Sequence, residues 1–427
     1  MSSLRLFVTL ESFIAAFLVS DISMARARVS TSPKRLNRDS SRLVTLSLAL
    51  HNSGSRVEDR FWEAELATLL NKLMRTGNDA ALDAALDHLS TTNIGGYEVL
   101  IEQAETHSES CVLEKDGKRF DVLLVIAPLV AWTRYSIPAV ALSDSVVSTL
   151  AGHLQTHVLA SGAQIAMMPQ LISLDQMPRT LCETYDWLHK LGATALDLPS
   201  GPPQLSHEPD AFNMLADTRY VAIGVAVPEG NPIFRWQETP SEHSDGREPC
   251  LEKWIADTQA IFANLLAGCG FEILVPDAYY VSNREADRRI RPLSVKSAVV
   301  WLEGALQLEA SQLRAVIVGC GERTVEEYRI GFTQKNQAEV IYGCLWPLYG
   351  HVEDEPLLEG QPAPIETIDE ITNLLKECGI TDIRRLPTML SPEFCDDCGA
   401  PYFPNPSGEM VHAELPEDAE TAPAHFH

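Results

Sequence analysis

The chain carries none of the short signatures that mark the familiar enzyme classes. No G-x-G-x-x-G follows a strand, and there is no P-loop, no G-x-S-x-G and no H-E-x-x-H. No apolar run approaches 18 residues, so no transmembrane helix and no membrane partner are expected. Positive charge is scarce. Lys and Arg total 33 against 59 Asp and Glu in 427 residues, a formal charge of −26. A body that acidic repels polyphosphates, which disfavours nucleic acid as a partner of the folded part. The nine cysteines are odd in number and irregularly spaced. That excludes a disulfide framework and suits a reducing cytoplasm. Disorder across the chain is equally excluded, because 45% of the residues are hydrophobic and only 22% are charged. The chain is long enough for two or three domains with cores of their own.

Basic residues outnumber acidic ones near the N-terminus, with Arg26, Arg28, Lys34, Arg35, Arg38 and Arg42 in a serine-rich stretch. Residues 1–40 read as a mobile basic arm, and nucleic acid or anionic lipid could meet the chain only through residues 24–42. The bland alternative is a solubilising tail. Upstream, Leu6 to Val19 looks like a signal-peptide core, but Glu11 interrupts it and no small-residue cleavage site follows. Residues 1–23 therefore read as a start-site extension ahead of Met24.

The pattern beyond the arm predicts an α+β protein. A helical domain is expected over 41–110. Its periodicity begins at Leu43, and Phe61, Leu66, Leu69, Leu70 and Leu73 form one apolar face closed by Thr76-Gly77. Lys115-Asp-Gly117 between two apolar runs predicts a hairpin of type I′. Two tandem α/β units with mixed sheets follow, at 111–200 and 215–350. They read as a duplication, beside the plainer reading that any two α/β segments look alike. Phe120–Pro128 and Tyr220–Pro228 are apolar strands ending in proline, and each is followed by an aromatic/Arg cluster and then a helix. Each copy returns as a strand closing on a proline, Pro169 and Pro276, 107 residues apart. After the second copy, Ser294–Leu308 reads as a helix, Leu313–Val318 and Glu327–Phe332 as strands, and Ala338–Leu348 as a helical or irregular closing segment. Residues 351–427 form an acidic C-terminal segment with one convincing helix, Ile365–Cys378, stopped by Gly379.

That segment holds the one local signal with chemical content, Cys395-Asp-Asp-Cys398-Gly399. Two cysteines two apart and followed by glycine form the tight turn that offers both sulfurs to one tetrahedral ion, making the C-terminal segment zinc-knuckle-like. His412 is the expected third ligand of a structural zinc. Cys378, Cys344, His351, His425 and His427 are candidates for the fourth. The alternatives are unligated cysteines or a redox pair. The latter is disfavoured because Asp396 and Asp397 set negative charge between the sulfurs, where a thiolate needs positive surroundings.

Other candidates stand beside plainer readings. Cys320 follows an apolar strand, where a nucleophile could sit, or it is a small buried core residue. Trp132, Arg134, Arg235 and Trp236 could line a cleft between the two units and bind a small anionic ligand. The basic stretch Asn283 to Arg291 could add to that surface as a loop. Against this, the arginines could simply pair with surface carboxylates.

Met24-Ala-Arg-Ala-Arg-Val-Ser-Thr-Ser-Pro-Lys-Arg-Leu, Gly54-Ser-Arg-Val-Glu-Asp-Arg-Phe-Trp62 and Ala216-Asp-Thr-Arg-Tyr220 resemble a family of bacterial proteins defined only as a domain of unknown function, from Met24 to about His412. The resemblance implies no activity and no site residue. The expected function is a cytoplasmic, zinc-stabilised binding or regulatory module whose partner is another protein. The alternatives are an enzyme acting on a small anionic substrate between the α/β units, and an RNA-associated factor using the arm.

Overall fold

The structure is a computed structural model. It describes residues 36–133, 137–138, 140–205, 216–238, 246–321, 324–348, 366–395, 398–416 and 419. The basic arm up to residue 35, the start-site extension, Arg134, His351, His425 and His427 lie outside the described residues. Nine α-helices and three sheets are present among them, an α+β architecture as expected; the eight-stranded sheet is antiparallel throughout, and only the four-stranded sheet is mixed.

The chain enters through α1 (Arg38–His51), α2 (Arg56–Arg75), α3 (Asp79–Thr92) and α4 (Ile94–Glu109). α1 starts five residues before the apolar periodicity does. Its first turn is polar, and the start is set by Asn37, whose side chain accepts the Ser40 N–H at 2.7 Å. Leu66, Leu70 and Leu73 of α2 are fully buried, but Phe61, expected on the same face, is 57% exposed.

β1 (Ser110–Lys115) and β2 (Lys118–Trp132) form the expected hairpin, with positive φ at both Asp116 and Gly117. β2 pairs antiparallel with β6 (Ala216–Pro228) over thirteen residue pairs, from Phe120 opposite Pro228 to Trp132 opposite Ala216. Pro128, expected to end β2, sits inside it. Its carbonyl accepts from Leu274 N–H, so its hydrogen-bonding edge faces away from β6. Along that edge β8 (Asp277–Ala278) pairs at Val125 and Ile126 and β7 (Gly270–Ile273) at Leu129–Trp132. The missing N–H of Pro128 thus falls between two partners, where no ladder bond is lost.

The two segments read as copies are interleaved in one sheet. The first copy supplies α5 (Asp144–His157), β4 (Gln164–Met167) and β5 (Gln170–Ser173). The second supplies α7 (Arg247–Leu265), β7 (Gly270–Ile273) and β8 (Asp277–Ala278). β4 and β5 pair on β6, the long strand of the second copy, while β7 and β8 pair on β2, the long strand of the first. Both copies therefore share one eight-stranded sheet, whose short edge strand β3 (Val140–Ala141) pairs on β5.

Because side chains alternate along a strand, this sheet has two apolar faces. Val122, Leu124, Ile126, Tyr220 and Ala222 join the four N-terminal helices and α6 (Leu181–Ala195) in one core. Leu123, Val125, Leu129, Ile223 and Val225 face α5 and α7 in a second.

α8 (Tyr279–Leu306) links this sheet to the next. Ala286 packs in the first core, and Val295, Val299 and Leu302 pack in a third. The expected loop over 283–291 is helix, since α8 runs through Pro292. Its arginines are occupied: Arg284 by Glu105, Arg288 and Arg289 by Glu285, Arg291 by Asp287.

The second sheet runs β11 (Tyr342–Pro347), β10 (Glu327–Gln334), β9 (Leu313–Cys320), β12 (Asp382–Arg385), with β12 parallel to β9. β11 lies where an irregular or helical closing segment was expected. Its Gly343-Cys344-Leu-Trp-Pro lacks strict alternation, but six residues of register on β10 hold it as a strand. α9 (Thr367–Glu377) buries Ile371 and Leu375 against this sheet and ends at Gly379, whose φ is 90°.

Candidate metal centre

Beyond β12 the chain follows β9, with Leu386 and Leu390 N–H groups bonded to Ile317 and Gly319 carbonyls. It then forms two successive turns. In the first, Phe394 lies opposite Pro401, Cys395 N–H donates to the Ala400 carbonyl at 2.7 Å, and Gly399 N–H donates to Cys395 at 2.8 Å. Gly399 has φ 75°, a conformation that explains the glycine after the second cysteine. In the second, β13 (Phe403–Pro404) pairs with β14 (Met410–Val411) around a turn in which the Asn405 side chain accepts from Ser407 and Glu409. This excursion returns His412 to the cysteines.

The potential ligand atoms of Cys395, Cys398 and His412 all lie within 4.8 Å of one another. Cys398 Sγ is 3.3 Å from His412 Nε2. The other ring nitrogen, Nδ1, is 2.9 Å from the Ala413 carbonyl, and donation there leaves Nε2 as the bare nitrogen facing the sulfurs. Tetrahedral zinc with ordinary bond lengths needs about 3.6 Å between a sulfur and a nitrogen ligand, so this pair need open by only a few tenths of an ångström. Two thiolates and an imidazole suit zinc in kind as well as in geometry. Of the fourth-ligand candidates, Cys344 is buried in β11 and Cys378 caps α9; neither belongs to the cluster.

The knuckle is fastened to the sheet by a residue that sequence reasoning passed over. Arg329, fully buried in β10, donates from Nη1 to the carbonyls of Glu393 (2.6 Å) and Tyr402 (2.7 Å). Its Nε pairs with Glu327 at 2.7 Å, and its guanidinium lies 4.8 Å from the Phe394 ring centroid. One cation thus holds both arms of the first turn. Close contact completes the seat, since a Cβ on Gly343 would meet the Phe403 ring at 2.3 Å. The available signal was two opposite charges two residues apart in an otherwise apolar strand, which puts both on one face. Two further buried pairs were equally unforeseen, Asp217 with Arg219 and Asp287 with Arg291.

Among the described residues, the remaining candidates do not come together. Cys320 ends β9 opposite Glu327 and is fully buried. Burial pushes its thiol up to about 12, with Arg329 opposing, so it is not a thiolate at neutral pH. Trp132 ends β2, whereas Arg235 and Trp236 follow the end of β6. Antiparallel pairing sets those two ends at opposite extremes of the ladder, twelve steps or roughly 40 Å apart. Arg235 donates to the Gln155 carbonyl near the end of α5, and Trp236 stacks on Phe234 with Arg247 over its ring. No described helix is long and apolar enough to cross a membrane.

Fold and site together define a mixed α+β protein with a two-cysteine, one-histidine cluster near its C-terminus. The chain belongs to the family described as "Protein of unknown function (DUF2863)", whose model matches residues 28–426. No curated protein and no solved structure matches it.

Proposed function

We propose that this chain is a cytoplasmic, zinc-stabilised binding or regulatory module whose partner is another protein. The observation that carries this reading is the convergence of Cys395, Cys398 and His412, with Nε2 of the histidine turned toward the sulfurs. Zinc there would cross-link two turns that otherwise rest on Arg329 and a few backbone bonds, and cysteine pairs at knuckle turns are typical of structural zinc sites. The cytoplasmic assignment rests on the odd number of cysteines and on the lack of any disulfide among the nine.

Elemental analysis of untagged protein, as wild type and as Cys398→Ser, tests the site. About one zinc per chain at the knuckle, lost in the variant, supports the reading. Freshly reduced wild type that neither carries nor takes up zinc at Cys395 and Cys398 sinks it. The partner class is tested by cross-linking in cell extract followed by mass spectrometry. Specific protein adducts that disappear with Cys398→Ser are expected, and adducts unaffected by that change would separate the zinc site from binding.

A further inference from the structure

A second group of metal-ligating side chains lies on the α5–α7 layer of the first sheet. His153 and His157 are one turn apart near the end of α5, so both project from one face of the helix. Their rings are nearly parallel, 12° between planes and 6.0 Å between centroids. α7 packs alongside and brings up Asp257. Its Oδ2 is 2.7 Å from His157 Nε2 and 3.6 Å from His153 Nδ1. All three ligand atoms lie within 4.8 Å of one another. The histidine side chains are largely covered, 26% and 14% exposed, while Asp257 is 48% exposed, so the group is shielded beneath and open at the rim.

A simple ion pair needs one imidazole. Here one carboxylate oxygen faces two, so three donors converge on a point that a doubly charged ion could fill. Two imidazoles and a carboxylate form a borderline donor set, which favours Zn²⁺, Ni²⁺ or Cu²⁺ over Mg²⁺ or Ca²⁺. Tetrahedral ligation by N and O needs about 3.3 Å between ligand atoms. The 3.6 Å separation already meets that, and the exposed Asp257 need only draw back by about half an ångström from His157. Two histidines four apart on a helix are also the spacing by which one helix face binds zinc in H-E-x-x-H proteins, though the intervening residues here are Leu154, Gln155 and Thr156.

We infer that His153, His157 and Asp257 form a second divalent transition-metal site, which clamps the helices of the two repeated units together. Three protein ligands leave a coordination position open to solvent. Lys253, one turn before Asp257 on α7, adds positive charge to that face and holds the affinity below that of a thiolate site. The inference is independent of the knuckle, with which it shares no residue, element or sheet.

The test uses untagged Cys395→Ser/Cys398→Ser protein, titrated with Zn²⁺ by calorimetry and by equilibrium dialysis with elemental analysis. One saturable equivalent is expected. His157→Ala and Asp257→Asn should each weaken it by roughly tenfold or more, since even second-shell losses cost that much. Circular dichroism must match the parent. If the double serine variant does not fold, wild type is titrated beside His153→Gln/His157→Gln, and the loss of one equivalent is expected. No saturable uptake by the folded double serine protein, or uptake indifferent to the histidine and aspartate changes, overturns the inference. A knuckle that failed to bind zinc would leave this result untouched.

Discussion

Arg329 reaches from the middle of β10 to the carbonyl of Tyr402, 2.7 Å away, and so ties the arm of the knuckle to the strand beneath it. Replacing it strands Glu327 as a buried, unpaired carboxylate and takes a donor from the carbonyls of Glu393 and Tyr402, the first of which keeps the Tyr402 N–H. Arg329→Met should therefore destabilise the C-terminal sheet by about 3–5 kcal/mol, read as a lower urea midpoint. Adding Glu327→Gln should recover part of that loss. A single-variant midpoint equal to wild type would show that the clamp carries no stability.

The junction of α4 and α8 should be pH-sensitive. Glu109 accepts the Tyr280 N–H at 2.9 Å, and burial holds its carboxyl up at about 7 rather than 4.5; the Tyr280 bond and Arg284 oppose the rise, and Glu105 and Asp277 add to it. The folded state therefore keeps this proton to higher pH than the unfolded chain does. Its contribution to stability is full below pH 4.5, declines as the pH climbs to 7, and stays reduced above. Glu109→Gln keeps an acceptor for Tyr280 and removes the charge. It should stabilise the protein at pH 8 by on the order of 2–3 kcal/mol and be nearly neutral at pH 4.5. Melting temperatures at the two pH values decide this.

Thiol reactivity should sort the cysteines by position. Cys398 is exposed, whereas Cys320 is buried with its thiol held near 12. Brief alkylation at pH 7.5, read by mass spectrometry, should label Cys398 in metal-free protein and spare Cys320 until denaturant is added. Zinc should slow labelling of Cys398 at least severalfold. Equal labelling with and without zinc would count against ligation.

Gly343 is the seat of Phe403. A methyl group there collides with the ring, so Gly343→Ala should lift the second turn from the sheet. Faster limited proteolysis between Leu386 and His412 is expected, together with weaker zinc retention. Unchanged cleavage would mean the turn holds its place without that contact.

The local order of the fold was legible where the chain announces itself. Asp116-Gly117 declared the hairpin, Gly379 the end of α9, and Cys395-x-x-Cys398 with His412 the cluster. What escaped was decided at longer range. Pro128 read as the end of a strand and Asn283 to Arg291 as a loop, yet one falls in a gap of the ladder and the other inside a 28-residue helix held by two cores. The aromatic/Arg clusters suggested a shared cleft because sequence carries no register. Antiparallel pairing of β2 and β6 then sent the two strand ends apart. Arg329 looked like an ordinary strand residue because its partners, Glu393 and Tyr402, lie more than sixty residues away.

The exchanged strands also set a timetable for the growing chain. β2 has its hairpin partner β1 at once, but its opposite edge waits for β6, some ninety residues later, and β7 and β8 come later still. On a ribosome adding about 5–20 residues per second, that edge stands open for several seconds. Neither segment, 110–173 or 216–278, can complete the sheet before the other exists, so a chain cut between them would yield two sticky fragments instead of two small folded proteins.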